Sequence, residues 1–226
     1  MRCSRRCEIL FFMTTRVNTR WVAFILVGLS LAGVVDGAVA PGQPAPDFTF
    51  TDLAGKTQKV SDFRGKVVVL EWLNPACPFV VRHYRSGNLP GTQAMAAADG
   101  VIWLQINSTA MGDLDPIKSR EWQKKQGVIA TAYIRDQSGQ VGRLYAAETT
   151  PHVYVIARDG TLAYQGAIDD QPQATLANTL DAHNYVKAAL VALRGGQAVP
   201  MAQTKAYGCG VKYGSPEGNA DASPRR

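Results

Sequence analysis

The sequence predicts an α/β fold in which helices cover a layered sheet, and three features of the chain indicate it. Short apolar runs that suit buried strands alternate with segments of helical periodicity. A strand–turn–strand pattern and then an amphipathic helix close the series. Apolar residues make up 46% of the 226 residues and charged residues 19%, a balance that can fill a core and is unlike that of a disordered chain.

Residues 1–40 are predicted to be a signal peptide that is cleaved near residues 37–40. A 15-residue apolar run, 21–35, follows Arg16 and Arg20, and small residues follow the run. This is the arrangement of a secretory leader, and the run is shorter than the ~20 residues that a spanning helix needs. We therefore expect an exported protein, periplasmic or secreted. An uncleaved leader that anchors the protein in a membrane is the alternative.

Residues 41–197 are predicted to form one domain that begins with a β-hairpin. Its two short strands, 47–51 and 57–60, flank a turn that contains Asp52 and Gly55. The apolar run at 67–73 then suits a central strand that is buried on both faces.

The first helix is predicted to begin at Pro78, because proline is favoured in the first turn of a helix. It should break at 87–90, where glycine and proline occur, and resume to residue 98. The later elements are predicted as strands at 101–106, 129–134, 153–157 and 161–168, and as helices at 115–126, 141–145 and 176–193.

The C-terminal tail, 198–226, is polar and rich in glycine and proline, and it contains Cys209. Of the other cysteines, Cys3 and Cys7 lie in the leader and Cys77 lies in the domain. Two thiols 132 positions apart do not make a disulfide-dense scaffold, and their spacing is not that of a zinc site. We predict no metal site and no cofactor.

The net charge of +6 does not indicate a nucleic-acid partner. The first 40 residues hold five arginines and two acidic residues, and the remaining 186 hold 19 basic and 16 acidic residues, so each part carries +3. Nucleic-acid binding requires basic residues clustered in a stripe, and the sequence shows none.

Cys77 is the strongest candidate for chemistry. It stands between the apolar run 67–73 and the predicted start of the first helix. The helix dipole and the unpaired backbone N–H groups at such a position favour an anion, so they lower the pKa of a thiol. An inert buried cysteine is the alternative, but this one lies in a turn flanked by Pro75 and Pro78.

Four segments of the chain carry a resemblance to a known family. VVVLEWLNPACPFV and TTPHVYVIARDGTLAYQGAIDD together resemble the thioredoxin superfamily. APDFTFTDLAGKTQKVSDFRGKVVVL and AYGCGVKY are similar to its peroxiredoxin-like redoxin branch, which is related to the alkyl hydroperoxide reductase/thiol-specific antioxidant group. The resemblance covers about residues 41–213. It implies a thioredoxin-like fold with a central mixed sheet, flanking helices and an N-terminal β-hairpin extension.

The resemblance also implies roles for individual residues. Cys77 corresponds to the attacking cysteine, and Pro151 to a cis-proline beside its sulfur. Thr150 corresponds to the residue that offers backbone hydrogen bonds to a bound peptide or mixed disulfide. Glu71 corresponds to a buried carboxylate with a raised pKa that relays protons. A carboxylate that reaches solvent or pairs with a cation is the alternative for Glu71.

The sequence departs from the family pattern at three positions. The second cysteine of the thioredoxin motif falls on Val80, so the motif has one thiol. The proline and the hydroxyl residue that hold peroxide in peroxiredoxins fall on Leu70 and Asn74, which weakens the case for efficient peroxide reduction. Asn74 can still donate a hydrogen bond, and we place it with Pro78, Thr150 and Pro151 in the substrate-binding set.

Several other polar residues are expected to be peripheral. Asp169-Asp170 is interpreted as a solvated acidic loop rather than a metal site. Copper binding is disfavoured, because copper proteins of related fold use two cysteines in one motif. Arg135 and Arg143 are candidates for an arginine that assists peroxide reduction, although each is expected at the surface.

The leading hypothesis is a thiol-based oxidoreductase. The Cys77 thiolate attacks a disulfide or a peroxide, which gives a mixed disulfide or a sulfenic acid, and Cys209 resolves either product through a reversible Cys77–Cys209 disulfide. A peroxide or protein disulfide and a thiol reductant are the expected partners. Two unrelated thiols are the alternative for the cysteines. For the whole protein, the alternative is a non-catalytic binding module that keeps the fold and has lost turnover.

Overall fold

The computed structural model describes residues 39–110, 115–173, 175 and 182–214. The predicted leader up to residue 38, the end of the tail beyond residue 214 and residues 176–181 of the last predicted helix lie outside the described residues. None of the helices within these ranges combines the length and the apolar run needed to cross a bilayer.

Nine strands and five α-helices make up the described part of the chain. The strands are β1 (Thr49–Thr51), β2 (Thr57–Lys59), β3 (Val68–Trp72), β4 (Ile102–Asn107), β5 (Ala132–Arg135), β6 (Thr149–Thr150), β7 (His152–Ile156), β8 (Leu162–Gly166) and β9 (Cys209–Gly210). The helices are α1 (Pro78–Arg85), α2 (Asn88–Ala98), α3 (Pro116–Gln126), α4 (Gln140–Leu144) and α5 (Tyr185–Arg194), and a 3₁₀ turn spans Val60–Phe63.

Five of the strands form a central mixed sheet in the order β5-β4-β3-β7-β8. Strands β3, β4 and β5 run parallel, whereas β7 is antiparallel to both β3 and β8. The pair β1–β2 forms a separate antiparallel hairpin. The predicted α/β fold, with its mixed sheet and N-terminal hairpin, is confirmed.

Strand β3 is buried along its whole length and supplies both layers of the core. Val69 of β3 and Leu73, which follows the strand, pack in one cluster with residues of α1, α2 and α5. Val68, Leu70 and Trp72 pack in a second cluster with the β-hairpin and the segment after α4. Alternate residues of β3 point to opposite faces of the sheet, and both faces are packed. The end of β3, and with it the start of the turn that follows, is therefore held in place.

Two predicted elements begin at least three residues later in the structure than predicted. Strand β5 begins at Ala132 rather than at residue 129, because the Ile129 N–H donates to the Gln93 side chain instead of to a neighbouring strand. The last helix begins at Tyr185, because the Asn184 side chain accepts from the Lys187 N–H and caps the helix there.

Candidate active site

Cys77 lies at the start of α1, as predicted. It is the N-cap residue of the helix in an extended conformation, and Pro78 occupies the first turn. Asn74 shapes the turn before it: its carbonyl oxygen accepts from the Cys77 N–H at 2.9 Å, and its side-chain Oδ1 accepts from the Ala76 N–H at 2.9 Å. The Asn74 side-chain oxygen therefore orders the turn, while Pro78 is exposed at its rim.

The two cysteines of the domain and tail lie side by side. The Cys77 Sγ is 3.0 Å from the Cys209 Sγ, and both cysteines are free thiols. The Cys77 Sγ is also 3.0 Å from the Thr150 carbonyl oxygen, to which its S–H can donate. Cys77 is only 2% exposed, whereas Cys209 is half-buried and covers it.

The environment separates the pKa values of the two thiols. Burial acts to raise the pKa of Cys77, but hydrogen bonds with the Cys209 side chain, the Thr150 side chain and the Val80 backbone outweigh it, so the pKa lies below its ordinary value. Burial, and then the hydrogen bond and negative charge of Cys77, raise the pKa of Cys209 to about 11. Of the two thiols, Cys77 is therefore the one that loses its proton more readily, and Cys209 is the one that keeps its proton and can donate it to Cys77.

Strand β6, with Pro151 after it, brings the tail to Cys77. The Thr150–Pro151 peptide bond is cis, as predicted. Strand β9 pairs antiparallel with β6, with Cys209 opposite Thr150 and Gly210 opposite Thr149. The backbone of Thr150, which the resemblance assigns to a bound peptide, is therefore occupied by the protein's own tail.

Gly208 allows the tail to approach this closely. Its φ of +144° is one that other residues rarely adopt, and a Cβ there would overlap the Thr150 carbonyl oxygen. Gly210, on the other side of Cys209, has no such φ, and the nearest atom to its Cβ would be the Glu148 carbonyl oxygen at 4.0 Å.

Substituting Gly208→Ala is expected to separate Cys209 from Cys77. The added methyl group must push β9 away from β6, so the rate of Cys77–Cys209 bridge formation should fall by about tenfold or more. Gly210→Ala is the matched control and should stay within about twofold of the wild type, because its Cβ would meet no atom closer than 4.0 Å. Quenched-flow alkylation after addition of a small disulfide measures both rates. Equal rates for the two variants would contradict this role of Gly208.

Glu71 lies in a polar cluster inside the core. It is fully buried, and its carboxylate accepts hydrogen bonds from the Tyr84 hydroxyl at 2.7 Å and the Trp103 Nε1 at 2.7 Å. The side-chain amides of Gln93 and Gln105 donate to it at 3.2 and 3.3 Å. Burial raises the pKa of Glu71, and these hydrogen bonds oppose the rise without cancelling it. Within the described ranges neither cysteine is among its partners, so its proton-relay role stays a prediction.

The raised pKa of Glu71 predicts a pH dependence of stability. The folded chain keeps this proton at pH values where the unfolded chain, with its ordinary value of 4.5, has released it. The free energy of unfolding should therefore fall as pH rises from about 4.5 to the folded-state pKa, by at most about 1.4 kcal/mol per pH unit. Glu71→Gln should remove this fall. Urea denaturation from pH 4 to 8 measures the free energy of unfolding, and Glu121→Gln, at an exposed position, is the control. If the free energy of unfolding of Glu71→Gln falls with pH as steeply as that of the wild type, the raised pKa does not belong to Glu71.

One sequence-based interpretation is wrong. Asp169 is not in a solvated loop: its side chain is fully buried, and its Oδ1 lies 3.1 Å from the Arg82 Nη2, which is equally buried. The hydroxyl of Tyr207 also donates to the Asp169 Oδ1. The acidic pair looked solvated because its cationic partner lies 87 positions away along the chain.

Sequence reasoning also missed Arg82 and Tyr207. Tyr207 stands two residues before Cys209 and Arg82 five residues after Cys77, but this closeness to the cysteines does not show that the two side chains meet. Arg143, one of the two peroxide-arginine candidates, is exposed and donates to the Ser138 and Gly214 carbonyl oxygens, with its guanidinium over the Tyr213 ring.

Comparison with known proteins shows which family and which relatives the chain is similar to. Residues 41–165 match the AhpC/TSA family. The chain is 31% identical over 127 residues to the thiol-disulfide oxidoreductase ResA of Geobacillus kaustophilus, an alignment covering 50% of this chain and 73% of that protein. The ResA of Geobacillus thermodenitrificans is 29% identical over the same length and coverage.

Solved structures share the fold over most of the chain. A hypothetical protein of Sinorhizobium meliloti has a TM-score of 0.67 at 24% identity, covering 79% of this chain and 97% of that one. An uncharacterized conserved protein of Geobacillus kaustophilus has a TM-score of 0.68 at 25% identity, covering 79% of this chain and 94% of that one.

Proposed function

The chain belongs to the AhpC/TSA family, a redoxin branch of the thioredoxin superfamily, and on this premise we propose that it is a thiol-disulfide oxidoreductase. In this proposal Cys77 attacks a disulfide of a protein substrate and Cys209 resolves the product. The observation that carries the proposal is the 3.0 Å separation of their sulfur atoms. The relatives named thiol-disulfide oxidoreductase support the choice of substrate class.

In the first step, the Cys77 thiolate attacks one sulfur of the substrate disulfide. A new S–S bond joins Cys77 to the substrate, and the other substrate sulfur leaves as a thiolate. The lowered pKa of Cys77 favours ionisation of the attacking sulfur, and the N-terminus of α1 favours its negative charge. Because Cys77 is only 2% exposed, the tail must move aside to admit a protein substrate.

In the second step, Cys209 attacks the Cys77 sulfur of the mixed disulfide. Cys209 first has to lose its proton, which the departing substrate thiolate can accept, and the Cys77 charge that raises the pKa of Cys209 in the reduced protein is absent from the mixed disulfide. The Cys77–Cys209 bond forms as the bond to the substrate breaks, and the substrate leaves with both sulfurs reduced. An external dithiol then reduces the bridge and is itself oxidised, which restores both thiols.

Disulfide exchange is favoured over peroxide reduction by the composition of the turn. Leu70 and Asn74 stand where peroxiredoxins place the groups that hold peroxide, and the Asn74 side-chain oxygen is engaged with the Ala76 N–H. The Cys209 thiol against Cys77 can resolve either product, so the choice rests on the turn and on the relatives named thiol-disulfide oxidoreductase.

We also propose that the protein acts outside the cytoplasm. The leader pattern of residues 1–40 supports export, and disulfides persist in extracytoplasmic compartments. There the expected partners are protein disulfides and a thiol reductant that regenerates the enzyme.

The proposal is tested by intact mass spectrometry on the full chain with Cys3 and Cys7 replaced by serine. The reduced protein is treated with equal concentrations of glutathione disulfide or hydrogen peroxide. Glutathione disulfide should convert it within minutes to a species lighter by two hydrogens, through a transient glutathione adduct. Faster reaction with peroxide would assign a peroxidase instead. A protein that reacts with neither reagent would contradict the proposal and favour a non-catalytic binding module.

A further inference from the structure

A buried cluster of side chains joins the tail to the helix that carries Cys77. Arg82 of α1 and Asp169, which follows β8, form an ion pair whose side chains are both fully buried. Asp169 also accepts from the Asn88 side-chain amide at 3.2 Å. The two charges are thus held by the folded domain, independently of the tail.

Tyr207 is the residue that the tail contributes to this cluster. Its hydroxyl donates to the Asp169 carboxylate and accepts from the Arg82 Nη2 at 2.7 Å. Its ring packs edge-on against Phe79, at 6.0 Å between ring centroids. Hydrogen bonds to buried charged groups are among the stronger ones in proteins, so this contact fixes the tail firmly at Tyr207.

The fixed point lies beside the reactive pair. Only Gly208 separates Tyr207 from Cys209, and the conformation of Gly208 is constrained by its approach to Thr150. Holding the Tyr207 hydroxyl therefore sets where the Cys209 sulfur lies relative to Cys77. Arg82 and Tyr207 take no part in the proposed disulfide exchange, although Arg82 lies on α1 with Cys77 at its N-cap and Tyr207 lies in the tail with Cys209.

We propose that Tyr207, held by the Arg82–Asp169 ion pair, is a positioning residue that keeps Cys209 against Cys77. The contact between Tyr207 and the ion pair raises the effective concentration of the Cys209 thiol at Cys77. Because the contact also keeps Cys209 over Cys77, it slows the access of external reagents to the Cys77 sulfur. This inference rests on the proposed exchange between the two cysteines.

The test compares Tyr207→Phe with Tyr213→Phe, again in chains whose Cys3 and Cys7 are serine. Tyr207→Phe keeps the ring against Phe79 and removes one hydroxyl. Tyr213→Phe is the matched control, because its hydroxyl donates to the Ala147 carbonyl oxygen at 2.6 Å on the far side of Cys209. Between Cys209 and Tyr213, the Val211 N–H donates to the Glu148 carbonyl and the Lys212 carbonyl accepts from the Ala110 N–H, so backbone hydrogen bonds hold that stretch without the Tyr213 hydroxyl.

The first readout is equilibrium with glutathione, in which two protein thiols and one glutathione disulfide give the bridge and two glutathione thiols. The equilibrium constant is the effective concentration of one cysteine at the other. Tyr207→Phe should lower it about tenfold in native buffer, and Tyr213→Phe by less than about twofold. In guanidinium all three chains should give the same low value, because only the separation along the chain then matters.

The second readout is the rate of alkylation of Cys77 by iodoacetamide, located by peptide mapping. Tyr207→Phe should raise this alkylation rate and lower the effective concentration. These opposite changes are expected if Cys209 moves away from Cys77 and exposes it. Equal values for Tyr207→Phe and wild type would overturn the inference and leave the proposed function intact. Equal losses in both variants would also overturn it, since the whole tail would then hold Cys209. A wild-type chain that forms no bridge would overturn the proposed function first.

Discussion

Replacing Cys77 with serine is expected to abolish disulfide exchange, lowering the rate by roughly a thousandfold or more. A serine hydroxyl is not ionised at neutral pH, and it cannot form the S–S bond on which both steps depend. The fold should be retained, because the substitution changes one atom at a helix N-cap, where serine is itself favoured.

The measurement is the rate at which the chain, with Cys3 and Cys7 replaced by serine, catalyses reduction of insulin by a dithiol. Thermal unfolding of the same samples shows that the variant is folded. Retention of more than about a tenth of the activity by folded Cys77→Ser would contradict the assignment of Cys77 as the attacking residue.

Replacing Cys209 with serine is expected to stop the reaction halfway. Cys77 can still attack, so the variant should accumulate as a mixed disulfide with its substrate, visible by intact mass under non-reducing conditions. Turnover should fall by about a hundredfold, because an external thiol must replace one that lies against Cys77.

The two cysteine variants therefore differ in what they accumulate. Cys77→Ser should show no adduct, and Cys209→Ser should show one adduct located at Cys77 by peptide mapping. A Cys209→Ser protein with wild-type turnover and no adduct would show that the tail thiol takes no part in resolution.

The local parts of the fold and site could be predicted from the sequence. An apolar run, a proline-flanked turn and the cysteine between them specify β3, the turn and α1, because each depends on neighbours along the chain. The cis bond between Thr150 and Pro151 was instead implied by the family resemblance, and it is confirmed. Strand register and helix starts were less predictable: β5 is set by pairing with β4, and α5 by the cap at Asn184.

The contacts between distant segments could not be predicted in this way. Arg82 and Tyr207 are separated by 125 positions, and neither has a local pattern that distinguishes a buried ionic contact from a solvated side chain. Asp169 was misinterpreted for the same reason. The position of Cys209 against Cys77 was inferred from the family resemblance and from the count of thiols, but the pairing of β9 with β6 that produces it depends on Gly208, whose conformation no periodicity reveals.

The central claim is that Cys77 and Cys209 form one redox pair, and non-reducing peptide mapping of the mildly oxidised full chain tests it most directly. Free thiols are first blocked with an alkylating reagent, and the digested peptides are identified by mass. We predict a peptide pair joined through Cys77 and Cys209 that disappears on reduction. If Cys209 is recovered alkylated while Cys77 is found as a sulfinic acid, the pair does not form, and Cys77 depends on an external thiol.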